Sequence, residues 1–456
     1  MIPDRDLRER IAVHAVSGRY QAFLGLGGGL AILGLVLFFF RGLSGAAADR
    51  AWQMFMVNWL FWTSLAAGSV AFSAVQKVTN ANWSGVMVRF AEAAVSFFPL
   101  SFVGLILIFT VGYPHIYGHM QSQMPGFSPG KQFWLSHGFM FGRLLVTVGG
   151  MFWLGWKFVH ANMVPDMAAA IPAVSGSRRQ AYERRTANYD PSDLGQAWHD
   201  FRLRHLAPSY CVVFGAVMTL VGFDMVMALQ PHWYSTLLGG FVTMGAFLGG
   251  HTLLALTMAY GKDHLGIADL VSPKQRHDLG KLCFGFTVFW AYLMWAQYLV
   301  IWYGNIPEET GFVFARLWGP WLPIGRWVFL GLFLIPFIGL LGAAPKKNPI
   351  SLGFFALVSL CGLWLERYLL VMPSVTGAPG PELGLPEVGS TALFAGFFLL
   401  SYALFARSFP MISPRLAMIT LHRETAHHHH EVADIYDHEE ATAEFLSDAD
   451  VEKDLG

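Results

Sequence analysis

Residues 208–260 read PSYCVVFGAVMTLVGFDMVMALQPHWYSTLLGGFVTMGAFLGGHTLLALTMAY. Two apolar runs, 208–230 and 235–260, are separated only by a short break around Gln230-Pro231-His232. Each run is long enough to cross a bilayer core, which takes about 20 mostly apolar residues. Proline stops one helix and suits the first turn of the next, so the break reads as a tight hairpin outside the hydrocarbon. The stretch predicts two antiparallel membrane-spanning helices.

Moving outward, the same kind of run recurs near 20–40, 52–76, 86–112, 133–159, 281–303, 324–344, 349–370 and 391–411. Composition agrees, because 54% of the chain is apolar and only 13% is charged, whereas a soluble domain carries about a quarter charged residues. The expected fold is an all-α integral membrane protein of about ten transmembrane helices. The membrane domain occupies 20–411, after a charged amphipathic segment 1–19 and before a polar tail 412–456 rich in Glu, Asp and His from 421 onward. That tail lacks the apolar content for a core, and its run His427 to His430 reads as solvated. A long connection, 160–207, is partly helical by its pattern and punctuated by Pro165, Pro172 and Pro191.

Orientation follows from the positive charges. Arg5, Arg8, Arg10, Arg19, Lys77, the arginines of 178–204, Lys262, Lys274, Arg276, Lys281, Lys346, Lys347, Arg415 and Arg423 fall on the side of the N-terminus. The other side offers Arg41, Arg50, Lys131 and Arg316. The bias predicts cytoplasmic N- and C-termini, with Pro231 on the outer face. A formal net charge of zero gives no sign of a nucleic-acid partner. Cys211, Cys283 and Cys361 lie apart within apolar runs, which excludes thiolate-rich zinc or iron–sulfur sites and leaves them as small buried hydrophobes. His115 and His119, four apart beside Pro114, suit either a two-ligand metal site or aromatic-loop packing.

Ionisable groups inside spans are costly and usually functional. Glu92, His137, Arg143, Asp224, His251, Glu366 and Arg367 stand out. Asp224 lies six residues before Gln230, about 9 Å in from the outer end at 1.5 Å per residue. Glu366 and Arg367 sit at a similar depth, His137 opens span four, and Arg143 lies deeper. Glu92 and His251 occupy the inner half. Each has a plain structural reading. Arg143 can pair with Asp224 or Glu366, His137 can be interfacial, and His251 can be a packing residue. Arg367 can neutralise Glu366, although neighbours on a helix point about 100° apart and favour other helices. The functional reading is a relay of carboxylates and histidines passing protons, with Ser64, Ser69, Ser73, Ser96, Ser101, Thr147, Thr219, Thr243, Thr252 and Tyr298 as rungs.

Spans five and nine also match. Asp224 precedes Pro231 by seven residues, and Glu366 precedes Pro373 by seven. This suggests a parallel duplication of a four-helix unit: bundle one over about 52–230, bundle two over about 235–370, and spans one and ten peripheral. His137 and His251, at opposite depths, do not make a haem sandwich.

The segment FDMVMALQPHWYSTLLGGFV, with LERYLLVMPS, resembles the polysulfide-reductase membrane subunit (NrfD-like) superfamily, and within it the F-subunit (ActF) branch of alternative complex III. The resemblance rests on Asp224 followed by Pro231, His232, Trp233, Tyr234, Ser235 and Thr236, and it extends over all ten spans. It implies two four-helix bundles in a bacterial inner membrane. It also implies membership of a quinol:electron-acceptor oxidoreductase, beside a homologous ten-helix (ActC-like) subunit, an iron–sulfur subunit and multihaem cytochrome c subunits. Haem c and iron–sulfur clusters would then belong to those partners, and this chain would supply a proton path or redox-linked conformational coupling. Asp224, Glu366, Arg367, His137 and Arg143 would line an outer half-path, with Glu92 and His251 in an inner one. Two alternatives stay open. In one, the chain itself oxidises a quinol such as menaquinone, with His137 or Asp224 taking the hydroxyl proton. In the other it is an independent secondary transporter, which paired helix interruptions would mark.

Overall fold

The computed structural model describes residues 20–42, 47–81, 83–261, 267–375 and 380–413, and among these every regular element is helical. Among the described residues ten helices are long and apolar enough to cross a membrane: Gln21–Phe40, Ala48–Val78, Met87–Gly126, His137–Ala173, Asp193–Leu229, Leu237–Gly261, Pro273–Gly304, Gly319–Gly339, Pro349–Val375 and Leu385–Ser408. The chain is a multi-pass, all-α membrane protein. Segment 1–19, Lys262 and the tail from 414, with His427 to His430, lie outside the described residues.

The expected hairpin is present. The Gln230 N–H donates to Met227 O and the Trp233 N–H to Gln230 O, which closes the chain direction within a few residues. Trp233 then stacks on Phe312 with centroids 3.7 Å apart, and the Lys131 ammonium donates to Pro231 O. The end of the molecule that carries this turn is termed the hairpin end, and the opposite one, which carries residues 174–192, the connection end.

Spans two to five pack on one another, and so do spans six to nine. Spans one and ten pair along their length and lie against spans two and three. Span two is the axis, almost wholly buried, and it meets spans six and nine of the second bundle. The seam is tight because Gly68 and Gly250 face each other across it. A Cβ on Gly68 would stand 1.9 Å from Ala246 O, and one on Gly250 would stand 2.4 Å from the Gly68 carbonyl carbon. Lipid tails are as apolar as the helix surfaces, so close backbone approach at small residues supplies the attraction that water would otherwise supply.

Helices run past two of the apolar runs. Within the connection 160–207, partly helical by its pattern, the helix of span four continues through Pro165 to Ala173 and that of span five begins at Asp193. Residues beyond Val159 stay in the helix because Asn162 and Asp166 are drawn into the core by a buried arginine. Helix Gly176–Thr186 lies between the two, and Ser192 caps the helix of span five by accepting the Gly195 N–H at 3.2 Å. Span three likewise does not stop near 112. A widened π-turn at Ile108–Gly112 takes up the Pro114 defect, and the helix runs on to Gln123.

Candidate functional site: buried ionic clusters at both ends

At the hairpin end of bundle one, Arg143 of span four grips Asp224 of span five. Its Nε donates to Oδ2 at 2.7 Å and its Nη2 to Oδ1. The third edge of the guanidinium donates to Trp134 O at 2.7 Å, and its face lies 3.9 Å from the Trp134 ring. The bidentate fork fixes both partners. Tyr117, on the extension of span three, donates to the Asp224 carbonyl at 3.0 Å and touches Met56 of span two. His137 stays outside this cluster. Its Nε2 meets Phe109 O at 2.7 Å, within the π-turn, and its ring stacks on Tyr113 at 3.9 Å.

The matching place in bundle two is built differently. Glu366 and Arg367 are adjacent, yet Arg367 Nη1 approaches Glu366 Oε2 at 2.8 Å. The expectation that neighbours reach other helices is therefore corrected in part. The long guanidinium arm curls back to Glu366 while Nη2 donates to Val242 O of span six at 3.3 Å. Gly245 makes this room, since a Cβ there would stand 2.9 Å from Nη2. Glu366 Oε1 accepts the Trp290 indole N–H at 3.1 Å. The Arg367–Glu366 contact lacks hydrogen-bond alignment, so Oε2 keeps an open position.

The connection end holds a denser cluster. Arg89 donates through Nη1 to Glu92 and through Nη2 to Asp166 Oδ2 at 2.6 Å. Glu92 Oε1 accepts from Ser73 Oγ and from Asn162 Nδ2, each at 2.6 Å. Asp166 Oδ1 accepts from Ser413 Oγ at 2.8 Å. Every one of these side chains is buried. Two carboxylates face one guanidinium, so with both ionised the cluster is one charge short of balance. Tyr182, in the connection beside it, donates to Ser408 O, and burial pushes its phenol up to about 12.

Glu92 thus belongs to a cluster whose other ionic members, Arg89 and Asp166, the sequence reading missed. Arg89 stands three residues before Glu92, a pairing distance on a helix, and that spacing was the available signal. Asp166 was hidden because it fell beyond the apolar run. His251 joins neither cluster. Its Nδ1 meets Phe247 O at 2.7 Å, and its ring is packed among Phe72, Phe247 and Phe286.

Between the ends, span two carries small polar side chains. Ser73 contacts Glu92, Ser69 donates to Leu65 O, Ser64 Oγ is buried without a partner, and Thr63 meets Ser101 Oγ at 2.6 Å. Asn58 accepts the Trp364 indole N–H at 3.0 Å. From Ser73 to Asn58 is about 22 Å of helix at 1.5 Å per residue.

His115 and His119 do not converge. His115 meets Asp49 at 2.6 Å and stacks on Trp52, while His119 meets Gln123. Among the described residues no three His, Cys, Asp or Glu side chains gather as a metal site, and the three cysteines are free. No family model and no curated protein matches this chain.

Proposed function

We propose that this chain is a membrane subunit of a quinol:electron-acceptor oxidoreductase of the alternative complex III type, and that it couples quinol chemistry to proton movement. The observation that carries the coupling role is the Arg89–Glu92–Asp166 cluster, fully buried at one end of the apolar slab and bearing one carboxylate more than its guanidinium balances. A buried charge of that kind is costly unless it holds an exchangeable proton or meets a counter-ion. Span two carries Ser73, Ser69, Ser64 and Asn58 from the cluster toward the hairpin end, where Tyr117 touches its Met56 and donates to the Asp224 carbonyl.

In this reading the connection end faces the cytoplasm of a bacterium, as the Lys and Arg bias favours. The partners are a homologous ten-helix subunit, an iron–sulfur subunit and multihaem cytochrome c subunits. Haem c and iron–sulfur clusters reside in those partners. The reading in which this chain oxidises the quinol itself asks His137 or Asp224 to accept a proton. Asp224 is charge-balanced, with both oxygens taken by Arg143, whereas the Arg89 cluster carries one carboxylate in excess, which favours the coupling role.

The test is isolation of the chain from native membranes in mild detergent, with subunit identification and a reduced-minus-oxidised spectrum. Co-isolation with c-type haem, an iron–sulfur protein and a second ten-helix subunit is the expected result. A chain that emerges alone and colourless overturns the assignment. In the isolated complex returned to vesicles, Glu92→Gln should lower proton uptake per electron by at least half while electron transfer continues.

A further inference from the structure

Among the described cations of the hairpin end, Arg143 holds Asp224, Arg50 holds Glu387 and Glu382, and Arg367 meets Glu366. Lys131 has no anion but donates to a carbonyl and lies over the Phe127 ring. Arg316 and Arg326 have no anion either. Arg316 closes the amphipathic helix Pro307–Leu317, buried to 4% exposure. It donates to Phe312 O at 2.9 Å, and to Leu370 O and Ser374 Oγ at 2.7 Å each. Its Nε has no partner. Burial, with no carboxylate to offset it, pushes this guanidinium down to about 9. Arg326, in span eight, is exposed and makes neither a hydrogen bond nor an ion pair.

Both arginines line one cavity of about 560 Å³ between spans six to nine and the amphipathic helix. Their backbones approach closely, since a Cβ on Gly325 would stand 3.0 Å from Arg316 O. The rest of the wall is nearly all apolar, with Phe241, Trp290, Met294 and Phe329 prominent. Glu366 also lines it, but that charge is already met by Arg367. Glu308 and Glu309 sit at the other end of the amphipathic helix, about 10 Å or more back along its axis. The site therefore has a formal excess of two positive charges above an apolar chamber.

Gly142-Arg143 in span four and Gly325-Arg326 in span eight occupy the third helix of their bundles. Arg143 is neutralised by the carboxylate of the next span, whereas Glu366, the corresponding carboxylate, is held by Arg367 and Trp290. Arg326 is left facing the cavity.

We propose that this cavity binds an acidic phospholipid from the leaflet at the hairpin end, its phosphate between Arg316 and Arg326 and an acyl chain along Phe241, Met294 and Phe329. A guanidinium is a strong partner for a phosphate because it is planar, charged and weakly hydrated. The volume falls in the range of built ligand pockets. A neutral ring compound would fill the apolar chamber but leave both cations unmatched. The inference needs only the membrane fold and is independent of the respiratory assignment.

The test uses the full chain, in whatever complex it is isolated, exchanged into nanodiscs of phosphatidylcholine with or without phosphatidylglycerol. Native mass spectrometry should show retained phosphatidylglycerol at least about tenfold over phosphatidylcholine at equal supply, and Arg326→Gln should abolish the preference while Arg326→Lys keeps part of it. Phosphatidylglycerol should also raise the thermal midpoint of the wild-type chain but not of Arg326→Gln, and inorganic phosphate at the same concentration should do neither. Equal retention of the two lipids, an unchanged preference in Arg326→Gln, or retention of a neutral quinone in its place would overturn the proposal. Because Arg326 is exposed and unbonded, its variant is expected to fold, which keeps the result decisive.

Discussion

Arg143 and Asp224 meet edge to edge near the hairpin end, 81 residues apart in sequence, both oxygens of the buried carboxylate taken by one half-buried guanidinium. Breaking a buried pair by removing one partner strands the other charge, at about 3–5 kcal/mol. Arg143→Gln and Asp224→Asn should therefore each lower stability by about that amount, and the double variant by clearly less than their sum. Thermal or denaturant unfolding of the four proteins in detergent measures the coupling. Additive losses would mean that the pair is not formed.

The connection-end cluster carries the opposite asymmetry. Among the described residues Arg89 is the sole cation bonded to Glu92 and Asp166, so Arg89→Gln leaves two buried carboxylates unmatched and should cost about 3–5 kcal/mol or prevent folding. Glu92→Gln leaves a balanced Arg89–Asp166 pair and one oxygen for Ser73 and Asn162 but turns an amide N–H on Arg89, so its cost should stay at about 1–3 kcal/mol, below that of Arg89→Gln. Melting curves of the two variants, side by side, check the order. The reverse order would refute the charge count.

Gly68 faces the backbone of span six, not a movable side chain. Gly68→Ala should force the bundles apart at the seam and cost about 1–3 kcal/mol or more. Gly215, whose added Cβ meets nothing within 4 Å, serves as the control, and Gly215→Ala should be neutral or slightly stabilising by helix propensity. Thermal midpoints of the two variants distinguish packing from propensity.

In the connection, Asp190 accepts from the Ser192 hydroxyl at 2.7 Å and from its N–H at 2.9 Å. These bonds hold the Asp190 carboxyl below its ordinary value of 3.8. The stabilisation is present above that ordinary value and is lost as pH falls through the lowered one. Amide exchange at Ser192, corrected for the intrinsic rate, should accelerate below about pH 4 in the wild type. In Asp190→Asn the acid step should be gone.

The apolar runs alone settled the helical membrane class and the hairpin at Pro231, because a bilayer demands about 20 apolar residues per crossing and proline cannot continue the first helix. The scarcity of charge within spans likewise made Asp224, Glu366 and Glu92 conspicuous before any packing was known. Partner choice was decided elsewhere. Arg143 had Asp224 and Glu366 as equal candidates along the chain, and only the packing of span four on span five selected Asp224. Asp166 looked like a loop residue by sequence, and became a core residue because Arg89, 77 positions away, holds it there. His137 and His251 were open along the chain between relay and packing roles, and the packing bonds each to a backbone carbonyl and sets each among aromatic rings. Hydropathy is a sum over neighbours along one helix, so one chain segment suffices to read it. A buried ion pair is a matter of distance and direction between different helices, and those exist only once the bundles have packed.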